Sequence, residues 1–142
     1  MNGSEIAAGQ GSTVRTQTIL LVEDEFIIRL MLGDALRDAG YHVLEAGDGA
    51  EGLAVLLSGQ PIDLMVTDVR MPGDIDGIEL SRRSKASDAS RPVIVCSGHL
   101  LPEEADPADA FVSKPYLAQQ LIDIIERLIG KPCPDQLQTH TA

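Results

Sequence analysis

Ile19-Leu20-Leu21-Val22-Glu23-Asp24-Glu25 is a short aliphatic run tipped with acid, and Ile62-Asp63-Leu64-Met65-Val66-Thr67-Asp68 has the same form. A brief β-branched and aliphatic run reads as a buried strand. In a parallel sheet, carboxylates at the carboxyl ends of two such strands converge at one edge. Gathered carboxylates repel one another and resist desolvation, so they persist where a cation or a lysine neutralises them. The two runs therefore predict a site, most simply one for a hard divalent metal.

Around them the chain alternates apolar run, amphipathic stretch and turn, which argues for α/β architecture with a parallel sheet. Strands are expected at about Ile19 to Val22, His42 to Glu45, Ile62 to Thr67, Pro92 to Cys96 and Ala110 to Val112. The first helix runs from about Glu25 to Ala39, with Ile27, Ile28, Met31, Leu32, Ala35 and Leu36 on one face and Gly40 as its stop. The second opens at Asp48, with Glu51 completing an Asp-x-x-Glu capping box and Leu53, Ala54, Leu56 and Leu57 as its buried stripe. The third starts near Asp76-Gly77 and reaches about Lys85. The last spans about Leu117 to Ile129 and ends at Gly130 and Pro132. Five strands and at least four helices fit a doubly wound sheet, whose switch point beside strand one gathers the ends of strands one and three.

Composition narrows the possibilities. A chain of this length suits one folded domain, here about residues 18–130, with 1–17 and 131–142 read as flexible tails. The longest apolar stretches are strand-length, so no membrane span and no secretory signal are expected and the protein is placed in the cytoplasm. A net charge of −11 disfavours a nucleic-acid partner. The basic residues Arg82, Arg83, Lys85 and Arg91 read first as a solvated helix end and loop, and second as a patch for an acidic partner. Cys96 reads as a core filler, Cys133 as a second free thiol, and His42 and His140 are assigned no metal.

Glu23, Asp24 and Asp68 share the switch point, and an all-oxygen set of this kind suits Mg²⁺. Ser97 ends strand four and Lys114 follows strand five, so both face the same edge. A hydroxyl and an ammonium beside a metal make a receptor for a tetrahedral dianion.

Taken together, Ile19 to Glu25, Val66-Thr67-Asp68-Val69-Arg70-Met71-Pro72-Gly73, Val93-Ile94-Val95-Cys96-Ser97-Gly98 and Phe111-Val112-Ser113-Lys114-Pro115 resemble the receiver domain of bacterial response regulators. The resemblance covers about Thr18 to Ile129 and implies the flavodoxin-like, CheY-like strand order 2-1-3-4-5. It implies that Asp68 is the phospho-acceptor, attacking a phosphohistidine on a histidine kinase or histidine phosphotransfer protein. Asp24 and Asp68 match the metal ligands, Arg70 a backbone-carbonyl ligand, and Glu23 the acid that holds metal-bound water. Ser97 and Lys114 match the phosphoryl contacts, Ser97 and Phe111 the switch pair, and Lys114-Pro115 the family's cis peptide. The family's proteins are signalling phospho-acceptors that assist their own phosphorylation and dephosphorylation, not enzymes with a separate substrate.

Three departures stand out. Where the family places a full helix between the hydroxyl residue and strand five, His99 to Asp109 is short and carries Pro102 and Pro107, so that helix is expected to be missing or reduced to a turn. The loop Met71 to Gly77 is one residue longer than the common form. Arg70 and His99 stand two residues after Asp68 and Ser97, where the family tunes the phosphoryl lifetime. No stretch after Ile129 is long enough for a DNA-binding or catalytic unit, so output is expected through protein contact or phosphate shuttling. The competing readings are a receiver-like binding module that is never phosphorylated, a small aspartyl phosphatase and a flavin electron carrier. The phosphatase would want an acid at position 70, where Arg70 stands. The flavin carrier would want a Ser/Thr/Gly-rich phosphate loop after strand one.

Overall fold

A computed structural model describes residues 16–98 and 107–132. Five strands, β1 (Thr18–Val22), β2 (His42–Ala46), β3 (Leu64–Asp68), β4 (Val93–Ser97) and β5 (Ala110–Ser113), form one sheet in the order β2-β1-β3-β4-β5. All pairs are parallel, with Val22 opposite both Ala46 and Thr67, Asp68 opposite Cys96, and Ser97 opposite Ser113. Among the described residues four helices, α1 (Phe26–Asp38), α2 (Gly49–Leu57), α3 (Gly77–Ser87) and α4 (Ala118–Ile129), cover the sheet. The expected doubly wound, flavodoxin-like sheet is therefore present. The expectation for residues 99–106, a missing or shortened helix, lies outside the described residues, as do the two proposed tails over 1–15 and 133–142.

The alternation of side chains along each strand builds two cores, one on each face of the sheet. Ile19, Leu21, Leu64, Val66, Ile94 and Cys96 meet Leu32 and Leu36 of α1 and Leu121 and Ile125 of α4. Leu20, Val22, Met65, Val93 and Val95 meet Leu56 of α2 and Leu80 of α3. Full burial of one such aliphatic side chain is worth about 1.5–3 kcal/mol.

Local chemistry sets the ends of these elements. After α1 the Gly40 backbone has φ 108°, the Gly40 amide donates to Arg37 O and the Tyr41 amide to Leu36 O, a Schellman termination that glycine favours. Asp48 and Asp76 cap α2 and α3 by accepting from the Glu51 and Glu79 amides. Glu51 reaches back to the amide of Gly47, one residue before the cap that a standard capping box would engage. β3 begins two residues later than expected, because Asp63 uses its carboxylate to accept the Thr18 amide and its own amide to reach Thr18 O. β4 runs one residue further, to Ser97, whose carbonyl accepts the Lys114 amide.

Helix burial departs from the expected stripes. Leu32, Gly33 and Leu36 are buried in α1, whereas Ile27 and Met31 are each 63% exposed. In α2 the contact face is Gly49, Gly52 and Leu56, while Ala54 and Leu57 face solvent. The glycines take the inner positions because a Cβ at Gly49 would run into the Ile75 carbonyl and one at Gly52 would press on Val22 and Leu80. Apolar spacing alone cannot see that choice.

Arg91 also differs from its expected solvated place. It is buried, donating from Nε to Ile62 O and from Nη1 to the Ser84 carbonyl and hydroxyl. Arg82 and Arg83 share Glu79, and Lys85 pairs with Asp109, so part of the basic charge of this segment is offset within the chain.

Candidate functional site

The carboxyl ends of β1 and β3 deliver Glu23, Asp24 and Asp68 to one spot. One carboxylate oxygen from each lies within 4.8 Å of the others. Glu23 is buried, Asp68 is half-buried and Asp24 is exposed. The sheet accounts for this, since Val22 and Thr67 are in register and the next residues leave adjacent strands side by side.

Glu23 and Asp68 are held by neighbouring backbone. Glu23 Oε2 accepts the Glu25 amide at 3.1 Å, and Asp68 Oδ1 accepts the Val69 amide at 2.9 Å. Arg29 was not singled out from the sequence, yet its Nη1 donates to the Glu23 carbonyl at 2.7 Å while its Nε lies 3.4 Å from Glu45. Behind Asp68 the fit is tight: the Gly77 amide donates to Val69 O, and a Cβ at Gly77 would run into the Asp68 carbonyl oxygen.

Lys114 reaches the cluster from the end of β5. Its Nζ stands 3.0 Å from Asp68 Oδ2 and 3.6 Å from Glu23 Oε1. Burial pulls this ammonium down, but the hydrogen bond and charge of Asp68 and the charge of Glu23 outweigh it and leave the Lys114 pKa raised. The Glu23 carboxyl is pushed up, chiefly by burial and further by the Asp68 and Asp24 charges, with the Glu25 amide and Lys114 opposing.

Three carboxylates face one ammonium, so two negative charges remain uncompensated within the cluster when all three acids are ionised. That residue of charge, an all-oxygen donor set and the access given by exposed Asp24 fit a small divalent cation.

The other sequence-selected residues surround this centre. Ser97 is buried at the end of β4, one position beyond the Cys96 that pairs with Asp68. Arg70 is exposed two residues after Asp68. Phe111 is half-buried in β5 and packs on the core shared with α2 and α3. The Lys114-Pro115 peptide is cis.

Tyr116 was missed by sequence reasoning; it is half-buried, packs against the core that contains Cys96 and lines an apolar groove with Lys114. Burial pushes the Tyr116 phenol well up and the Cys96 thiol up to about 12, so both are neutral spacers at physiological pH. Nothing in the local pattern around Tyr116 signals this packing, because Cys96 lies on a neighbouring strand.

Beside Lys114, α1 and the segment 114–118 form an open apolar groove of about 510 Å³ lined by Ile28, Met31, Leu32, Pro115 and Tyr116. Phe26, Ile27, Leu30 and Leu117, on α1 and just before α4, are exposed as well.

Comparison with known proteins agrees with this fold. Residues 19–126 match the model of the response regulator receiver domain. The response regulator receiver protein CpdR of Brucella abortus is 38% identical over 116 residues, covering 78% of this chain and 95% of CpdR. A receiver protein from Sinorhizobium medicae superposes with a TM-score of 0.76 at 34% identity, over 80% of this chain and 94% of that one. TrrA of Thermotoga maritima, solved in complex with Mg²⁺ and BeF, gives a TM-score of 0.72 at 29% identity, covering 80% of this chain and all of TrrA. Relatives also include the sensor kinase CckA and sporulation initiation phosphotransferase F. Among the described residues no helix is long and apolar enough to cross a membrane.

Proposed function

We propose that this chain, which belongs to the response regulator receiver family, is a phospho-acceptor in a two-component relay, with Asp68 as the residue modified. The observation that carries the proposal is the ion pair of 3.0 Å between Lys114 Nζ and Asp68 Oδ2 inside a cluster of acids. An ammonium so placed compensates the nucleophile before transfer and is within reach of a phosphoryl oxygen after it.

In the reaction, a carboxylate oxygen of Asp68 attacks the phosphorus of a phosphohistidine. The phosphorus–nitrogen bond breaks, its electron pair returns to the imidazole nitrogen, which takes up a proton, and an aspartyl phosphate remains. Lys114 follows the growing charge on the phosphoryl oxygens, and the Ser97 hydroxyl donates to one of them. Glu23, Asp24, Asp68 and the Arg70 carbonyl would hold Mg²⁺, which when bound neutralises charge on the transferring group. TrrA, seen with Mg²⁺ and BeF, supports that assignment by its likeness to this chain.

The phosphate source is a histidine kinase or a histidine phosphotransfer protein. Phe26, Ile27, Leu30 and Met31 on α1, which follows the Glu23–Asp24 pair, and Leu117, three residues after Lys114, are exposed and suit a protein surface as donor. Phosphorylation adds charge and acceptors at one point, pulling on Ser97 and Lys114 and so shifting the population of conformations around β4 and β5. Ser97 and Phe111 act as the switch pair, and output passes by protein contact or by onward transfer of the phosphoryl group in the cytoplasm. The protein assists its own phosphorylation and dephosphorylation and acts on no separate substrate.

The test is incubation with Mg²⁺ and acetyl phosphate followed by intact-mass measurement. The wild-type protein is expected to gain one phosphoryl group and Asp68→Asn none. An unmodified wild-type protein would instead identify a binding module that is never phosphorylated.

A further inference from the structure

We propose that Lys85 and Asp109 form a positioning pair that holds β5 in the register delivering Lys114 to Asp68. The inference rests on the phosphoryl-transfer reading above, because the position of Lys114 matters only if Asp68 reacts.

β5 is the most weakly held strand of the sheet. It lies at an edge, has four residues, and buries only Val112. A slip of one residue along β4 would exchange the faces of Phe111 and Val112 and move Lys114 by about 3.3 Å, enough to break its contact with Asp68. Something must pin its start.

Asp109 does this with three bonds. Its amide donates to Val93 O at 2.8 Å, its Oδ2 accepts the Val93 amide at 2.8 Å, and the same oxygen lies 2.6 Å from Lys85 Nζ. Lys85 in turn donates to Arg91 O at 2.9 Å and to Ala89 O at 3.3 Å. One ammonium thus gathers the end of α3, the loop before β4 and the root of β5, using all three of its donors. The side chains of Lys85 and Asp109 are 19% and 36% exposed, so solvent screening leaves the pair a small share of global stability. Its effect is geometric.

α3 gives the pair its connection to the acceptor. The amino end of the helix is locked to the residue after Asp68, through the Gly77 amide on Val69 O and the close approach of Gly77 to the Asp68 carbonyl. The carboxyl end holds Asp109 through Lys85. The helix therefore spans from the nucleophile's strand to the root of the strand that carries Phe111 and leads to Lys114.

The experiment compares wild-type, Lys85→Met and Asp109→Asn for the rate of Asp68 phosphorylation by acetyl phosphate with saturating Mg²⁺, together with amide exchange at Phe111, Val112 and Ser113. A displacement of about 1 Å can cost up to about 100-fold in rate; a loosened strand is expected to cost roughly fivefold in Lys85→Met. Asp109→Asn keeps an acceptor for the Val93 amide and is expected to lose less. In Lys85→Met, exchange should quicken in β5 and stay unchanged at Leu20 and Met65. A purely structural pair would lower the melting temperature and leave the rate of the folded protein as in wild type; that outcome, or unchanged β5 exchange, overturns the proposal. If the wild-type protein takes no phosphoryl group, the Asp68 reading fails, and β5 exchange in Lys85→Met still decides whether the pair holds the strand.

Discussion

β1 and β5 both bring charge to the same edge of the sheet, but they hold it differently. All five residues of β1 are buried, and the strand is flanked by β2 and β3. β5 has one neighbour and one buried residue of four. The acids Glu23 and Asp24 thus follow a strand locked on both sides and both faces, whereas Lys114 follows a strand held largely by its partner β4 and by Asp109. The metal-type cluster requires a fixed geometry that tolerates like charges, and the interior strands supply it. Lys114, the ammonium that faces Asp68, thus follows the strand where movement costs least.

Truncation inside each strand gives the largest expected effect and the most direct way to break this comparison. Leu20→Ala removes a fully buried side chain from β1 and is expected to cost about 3–5 kcal/mol in chemical denaturation. Val112→Ala in β5 removes two methyl groups and is expected to cost about 1–2 kcal/mol. Equal losses would show that β5 is as firmly built as β1.

Next is Gly77→Ala, where the new methyl meets backbone atoms of Asp68 and Val69 that cannot move aside. A loss of about 1–3 kcal/mol is expected, with slower acetyl-phosphate labelling of Asp68 in the folded fraction. A neutral result would mean that the loop between β3 and α3 is slacker than β1 and β3 themselves.

The smallest effect sharpens the comparison at β4, the strand between the two regimes. Burial pushes the Cys96 thiol up to about 12, so at pH 8 it is protonated and should resist iodoacetamide in the native protein while reacting readily in denaturant. The sign of the linkage follows. The folded protein keeps a proton that the unfolded chain begins to release near its ordinary thiol pKa of about 8.5, so this contribution is intact below that pH and falls as the pH rises toward 12. Tyr41, pushed up to about 12 mainly by burial, acts in the same direction. A melting temperature that rises between pH 9 and pH 11 would contradict both.

Much of the molecule was legible in the chain. The strand runs, the glycine stop at Gly40, the cap at Asp48 and the helix start at Asp76-Gly77 are local signals, because each depends on residues within four positions of one another. The cluster of Glu23, Asp24 and Asp68 with Lys114 was legible too, since it needs only strand ends and a parallel order. The burial of α1 and α2 was misjudged for a single reason. Ile27, Met31 and Leu57 are apolar but exposed, while Gly33, Gly49 and Gly52 are buried, and close approach selects small residues that hydrophobic periodicity ignores. Arg91 was misplaced because its partners, Ile62 O and the Ser84 carbonyl and hydroxyl, come from two other segments.

The sequence by itself determined the class of sheet and which charged side chains stand at its carboxyl edge, because period-two burial and acid-tipped strands are written along single segments. Only the tertiary structure decided how those side chains are supported: Arg29 beneath Glu23, Tyr116 against the core that contains Cys96, Gly77 behind Asp68 and Lys85 on Asp109. Each joins an element to a loop or strand outside itself, from six residues away for Arg29 and Glu23 to more than twenty for Lys85 and Asp109. Packing selects such contacts from many that the pattern alone permits, and that selection happens in three dimensions.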